Sequence, residues 1–222
     1  YTVIEETHRP RSTGPFVNPL RSYVALLSQR RFSAFVLQSG FQSGAFFAMA
    51  SASPFLTTEY LGRSASEYGL YFLFFPVGYC SGNWVSSRLS GRVGIETMVL
   101  AGSLLFVATV IGQASFILLS DLTPLMIFIP GFLISFGQGL ALPNAQAGAI
   151  RVAPSLAGTA AGIGAFLQAI CGAAFSQLYG FLADGTPYPM IWTVSASTLL
   201  AFSAGLYVYA TRERPANALH NT

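Results

Sequence analysis

Six apolar runs, each long enough for one spanning helix, take up most of this chain. A helix needs about 20 largely apolar residues to cross a hydrocarbon core. The pattern predicts helices over 32–56, 67–89, 95–119, 124–150, 155–183 and 187–210. Their interiors carry no Asp, Glu, Lys or Arg; Glu67 and Glu96 mark only the ends. The breaks between runs have turn chemistry, as in Ser120-Asp121 and Asp184-Gly185-Thr186-Pro187. Pro76, Pro130 and Pro143 fall inside runs, where each removes a backbone donor and favours a kink. The chain therefore reads as all-α, a polytopic membrane bundle of six helices. A polar stretch, 1–31, precedes the bundle and a tail, 211–222, follows it.

The polar stretch has a pattern of its own. Asn18-Pro19 suits an N-cap and a first-turn proline. Leu20, Tyr23, Val24 and Leu27 then recur at helical spacing, opposite Arg21 and Gln29. This predicts a short amphipathic helix on the membrane face, with a solvated linker as the competing reading.

Composition narrows the class. Only 9% of residues are charged and 53% are apolar, with a mean hydropathy of +0.56. Soluble domains carry about 25% charged residues. A soluble fold of this length would lack polar surface to cover its core. The net charge is +3 and the pI about 9.0, but the arginines sit in short connections, which points to topology and excludes nucleic acid as the partner. Arg9, Arg11, Arg21, Arg30, Arg31, Arg88, Arg92, Arg151, Arg212 and Arg214 fall on one side of the predicted membrane, and only Arg63 on the other. The positive-inside rule makes that side, with both termini, cytoplasmic. Cys80 and Cys171 lie within apolar runs and lack metal-ligand spacing; His8 and His220 lie in the two polar ends. No metal or cofactor site is expected.

Uncharged polar groups gather on particular helix faces. Gln38, Gln42, Phe46, Met49 and Ser53 share one face of the first predicted span. Tyr68, Tyr71, Phe75, Tyr79 and Asn83 share one of the second. Ser135 and Gln138 align in the fourth, and Gln168, Cys171, Phe175 and Tyr179 in the fifth. An amide in hydrocarbon needs a partner or water, so these faces point inward. They either line a cavity for bulky lipophilic ligands or bond neighbouring helices as packing glue. The cavity reading is preferred for the Gln38/Gln42 pair. It takes Gln38, Gln42, Phe46, Tyr71, Phe75, Tyr79, Gln138 and Gln168 as its lining. Gly158 and Gly162 form a GxxxG, which predicts close helix packing.

Two stretches carry a resemblance. Gly82-Asn83-Trp84-Val85-Ser86-Ser87-Arg88-Leu89-Ser90-Gly91-Arg92-Val93-Gly94 is similar to the loop motif of the major facilitator superfamily, in its C-terminal copy. Leu142-Pro143-Asn144-Ala145-Gln146-Ala147-Gly148-Ala149, then Ala153-Pro154-Ser155-Leu156-Ala157-Gly158-Thr159-Ala160, resembles the tenth-to-eleventh helix region of Bcr/CflA-type drug antiporters. Ser53-Pro54-Phe55 and Glu6-Thr7 also match that subfamily's pattern. The resemblance covers the whole chain as the C-terminal six-helix half. It implies a twelve-helix fold with substrate held between halves, and export of drugs driven by the proton gradient. In the loop motif, Gly82, Arg88, Arg92 and Gly94 are the matching positions. The arginines would hold cytoplasmic helix ends together, and Gly91 and Gly94 would permit the tight turn.

The family's proton-coupling carboxylates usually sit in the other half, and none occupies a span here. The expected partners are the bilayer, a missing N-terminal half and small lipophilic drugs. The start at Tyr1 predicts a partial sequence. The alternatives are a half-size transporter working as a homodimer and a non-transporting scaffold or degenerate remnant. An intramembrane serine protease is disfavoured because neither His lies in a span to act as base, so no enzyme is expected.

Overall fold

The computed structural model describes residues 19–89 and 91–212, and these are helical with no strand among them. Eight α-helices follow in order: α1, Pro19–Leu27; α2, Arg30–Phe55; α3, Ala65–Phe72; α4, Phe74–Leu89; α5, Ile95–Leu119; α6, Leu125–Val152; α7, Ala157–Leu182; and α8, Tyr188–Ala210. Among the described residues α5, α6, α7 (with the short turn before it) and α8 are each long and apolar enough to cross a membrane. Helix α2 is long enough at 26 residues, but its two arginines, two glutamines and serines dilute its hydropathy.

The second apolar run is two helices rather than one. Helix α3 starts at Ala65, two residues before the expected boundary, because Ser64 and Glu67 form a capping box. The Ser64 hydroxyl accepts from the Glu67 amide at 3.2 Å, and the Glu67 carboxylate accepts from the Ser64 amide at 2.9 Å. The axis then breaks at Leu73, where Pro76 has no N–H to give the Phe72 carbonyl. Proline leaves the same debt elsewhere, and side chains meet it. Ser53 Oγ donates to the Ala50 carbonyl, which Pro54 cannot serve, at 3.0 Å. Gln113 of α5 donates across to the Met126 carbonyl, opposite Pro130, at 3.1 Å.

Helix α2 packs on α6, α7 and α8, while α6 also packs on α4 and α5, and α5 on α8. The centre of the bundle is thus α2 and α6. Lipid tails are as apolar as leucine, so no hydrophobic force drives helices together inside a bilayer. Packing and interhelical hydrogen bonds must do so. Gly78 and Gly82 of α4 lie directly on α6, where a Cβ would strike the Phe132 and Phe136 backbone. Gly139 of α6 returns the contact against Tyr79 and Asn83, and Gly102 of α5 meets Gly137. Cross-helix hydrogen bonds add to this: Asn144 Nδ2 donates to Ser86 Oγ at 2.7 Å, and Ser197 Oγ to the Phe41 carbonyl at 2.7 Å.

Gly158 and Gly162 do not pack as expected. Both are exposed, and nothing described lies within 4 Å of a Cβ built on either. The GxxxG that brings backbones together is Gly78/Gly82. Its sequence spacing is the same, but its face is turned toward a neighbour.

The connection from α4 to α5 also differs from expectation. Gly94, at φ −63° and ψ 149°, has an extended backbone that any residue adopts. The turn closes instead through the Leu89 carbonyl, which accepts from the Arg92 and Val93 amides at 2.8 and 2.9 Å. Gly82 lies inside α4 rather than in the turn. Arg88 and Arg92 are exposed and make no ion pair among the described residues; the Arg88 guanidinium lies 5.3 Å from the Trp84 ring centre. The pair tying helix ends is Arg31 of α2 with Glu96 of α5.

Large apolar side chains cover the outside, including Leu119 at 85% exposed, Phe181 at 79% and Trp192 at 66%. A surface this apolar suits lipid. Helix α1 docks through buried Leu26 and turns Tyr23, Val24 and Leu27 outward. Asn18, residues 1–17 and residues 213–222 lie outside the described residues, and with them Glu6-Thr7 and most of the tail.

Candidate functional site

Three of the cavities among the described residues differ in the kind of their lining. One, of 520 Å³, lies at the helix ends around Arg31, Glu96 and Arg151. An almost wholly apolar groove of 360 Å³ runs between α5 and α6, past Gln113 and Pro130. The third, 400 Å³, is a cleft bounded by four helices: Ser43, Phe46 and Phe47 of α2, Tyr79 of α4, Gln138 and Leu142 of α6, and Ala165, Gln168 and Ala169 of α7. It combines aromatic walls with amides, the composition expected of a site for a lipophilic ligand.

Half of the sequence-derived lining meets in this cleft: Phe46, Tyr79, Gln138 and Gln168. Helical geometry explains the placement. Phe46 stands one turn beyond Ser43, and its ring meets Phe47 edge-on with centroids 5.3 Å apart. Gln138 Nε2 reaches Ser43 Oγ at 3.5 Å, linking α6 to α2 at the cleft floor. Gln168 is half-buried, and its Nε2 is enclosed yet finds no acceptor among the described residues.

Gln38 and Gln42 are elsewhere. Both are fully buried in the bundle interior, so neither lines a cavity wall. Gln38 Nε2 donates to Gln42 Oε1 at 3.0 Å and to Ser103 Oγ of α5 at 3.1 Å. Gln42 Nε2 points to the Gly137 carbonyl of α6 at 3.4 Å. Gly205 lets α8 close over the same spot: a Cβ there would lie 2.8 Å from Ser103 Oγ and 3.5 Å from Gln38 Cγ. For this pair the packing reading holds and the cavity reading does not, because the face they share is covered by α5, α6 and α8.

Tyr71 and Phe75 also stand back from the cleft, in an aromatic cluster behind it. Phe75 is 1% exposed and touches Phe46, Phe72 and Phe128 with centroids 5.7, 5.1 and 6.1 Å apart. Tyr71 stacks on Phe128 at 5.2 Å. The cluster backs Phe46 and so fixes one wall indirectly.

Sequence reasoning missed Ser43, Phe47, Leu142, Ala165 and Ala169. The signal was present for α7, where Ala165 and Ala169 flank Gln168 at helical spacing, leaving room beside an amide. For α2, Ser43 and Phe47 stand one residue, about 100° of turn, past Gln42 and Phe46, so the amide face captured Phe46 but not the two side chains beside it.

A family model described as Major Facilitator Superfamily matches residues 3–176. A protein of Haemophilus influenzae named bicyclomycin resistance protein homolog is 24% identical over 210 residues, covering 92% of this chain and 52% of that protein. An uncharacterized MFS-type transporter of Bacillus subtilis, YdgK, is 26% identical over 193 residues, 83% of this chain and 45% of that protein. The chain spans about half the length of these curated relatives. Helices glycine-packed around α2 and α6 accord with a family match over most of the sequence: this chain belongs to the Major Facilitator Superfamily.

Proposed function

We propose that the chain works as one six-helix half of a drug-efflux transporter, exporting lipophilic drugs by proton antiport with alternating access. The observation that carries this reading is the aromatic and amide cleft built on α2, α4, α6 and α7. A relative named for resistance to bicyclomycin agrees with it. In such a transporter the opposite wall comes from six further helices, and the two halves rock about a midplane site. The span interiors here hold no acidic or basic side chain, so the group that carries the proton belongs to the other half. Arginine sidedness supports cytoplasmic termini, in a bacterial inner membrane.

Drug accumulation in cells expressing the complete transporter tests this, with and without a proton ionophore. Phe46→Ala and Gln138→Leu are expected to reduce export of some drugs at least severalfold at equal protein level. Gln38→Ala and Gln42→Ala are expected to lower the amount of folded protein while leaving the relative ranking of drugs unchanged. Unaltered export for every drug tested in both cleft variants would sink the assignment, as would export indifferent to the ionophore.

A further inference from the structure

The cavity at the helix ends is charged where the cleft is not. It holds 520 Å³ between Arg31 and Phe35 of α2, Ile95 and Glu96 of α5, and Arg151 and Val152 of α6. Its charges do not cancel, because two guanidiniums line it against one carboxylate. Glu96 Oε1 accepts from Arg31 Nη2, and both side chains are half-buried. Arg151 makes no ion pair or hydrogen bond among the described residues, so its charge is left uncompensated. The start of α5 adds to it. Gly94 caps that helix without a side-chain acceptor, and the Ile95 and Glu96 amides find no backbone acceptor among the described residues. Open amides at a helix start carry partial positive charge.

A guanidinium fork matches the paired oxygens of a phosphate. Phe35, Ile95 and Val152 offer apolar contact beside it, in a space larger than a bare oxyanion fills. We infer that this cavity binds a phosphate ester, with the phosphoryl oxygens on Arg151 and the start of α5 and the carbon skeleton against Phe35 and Val152. The Arg31–Glu96 pair holds the carboxylate and leaves Arg151 to the ligand. A soluble phosphate ester and the headgroup of an anionic lipid share this chemistry and differ in how they arrive. The site stands apart from the cleft reading, since no residue lines both cavities.

The test uses the full chain in detergent micelles and native mass spectrometry, which counts what each chain retains. Phosphatidylglycerol is the lipid probe, phosphatidylcholine its zwitterionic control and glycerol 3-phosphate the soluble ester. The unaltered chain should retain one phosphatidylglycerol about tenfold more tightly than phosphatidylcholine, or bind one glycerol 3-phosphate. Arg151→Gln should weaken that binding about tenfold, the size of one charge-assisted hydrogen bond. Arg151→Lys keeps the charge, loses the fork and should fall between; it is the second variant should the first fold poorly. Arg88→Gln changes an exposed arginine of α4 outside the cavity and should alter binding less than about twofold. Glu96→Gln removes the competing carboxylate and should tighten binding, a change that damage to the fold would not produce. Lipid that the soluble ester does not displace assigns the site to a headgroup, and the reverse assigns it to a soluble ligand. Retention of neither probe would overturn the inference. So would equal weakening by Arg88→Gln and Arg151→Gln, or weaker binding by Glu96→Gln in a chain whose helicity is unchanged.

Discussion

Gln113 and Pro130 make a thermodynamic cycle that isolates one interhelical hydrogen bond. Pro130 has no N–H for the Met126 carbonyl, and Gln113 Nε2 donates to that oxygen from α5 at 3.1 Å. Gln113 is 3% exposed, so its replacement leaves the carbonyl in a dry setting. Gln113→Met keeps the length of the side chain and removes the donor. Interhelical hydrogen bonds in membrane proteins average about 0.6 kcal/mol and reach about 1.7, and an orphaned buried acceptor adds to the loss. The substitution should therefore cost about 1–2 kcal/mol. In a Pro130→Ala background the restored backbone N–H can serve Met126, and the same substitution should cost less than about 0.5 kcal/mol, a coupling of roughly 1 kcal/mol. Reversible unfolding in mixed detergent and SDS micelles, followed by circular dichroism, measures all four corners. Equal costs in the two backgrounds would refute the reasoning.

Two further predictions use the same kind of measurement. Gly82→Ala forces a methyl into the Phe136 backbone and should destabilise the chain by about 1–3 kcal/mol, whereas Gly158→Ala meets open space and should be neutral or stabilising by up to about 1 kcal/mol; similar losses in both would contradict the assigned packing. At the turn before α8, Asp184 Oδ1 accepts from the Thr186 hydroxyl at 2.6 Å and the Thr186 amide at 2.9 Å, and these bonds hold its carboxyl below the usual value of 3.8. A depressed folded pKa means the ionised group adds stability above the ordinary carboxylate range and loses it as acid protonates the folded form. The advantage over Asp184→Ala should thus be present at neutral pH and vanish in acid, as thermal unfolding across a pH series would reveal; an advantage independent of pH would count against it.

Much of the fold was legible because its signals are long. An apolar run of twenty or more residues survives small errors of boundary, and a missing charge in a span is visible at sight. Shorter signals were harder to weigh. Ser64-x-x-Glu67 announces the start of α3, yet it sits beside an apolar run that dominates the pattern. Pro76 marks a kink in sequence, but whether the helix bends or breaks depends on what packs beside Phe72 and Leu73. Glycine pairs at one spacing, 78/82 and 158/162, read alike until the neighbouring helix is known. The amides posed the same problem: periodicity tells that Gln38 and Gln42 share a face, and hydration cost tells that the face points inward. Neither separates the inside of a six-helix bundle from a cleft on its side. That distinction depends on which helices cover the face, a tertiary fact.

The glycine contact between α4 and α6 has a mechanical consequence. Where backbone lies on backbone at Gly78, Gly82 and Gly139, no side chain separates the two helices, and the Asn144–Ser86 hydrogen bond ties them further along, so the pair behaves as a single stiff beam. Tyr79 and Gln138 ride on that beam, while Phe46 and Gln168 stand on α2 and α7. The cleft can therefore change width only where the beam meets the other two helices, or beyond its end, at the break by Leu73. Widening would be a rigid displacement of one wall, with the spacing of Tyr79 and Gln138 held constant through the stroke.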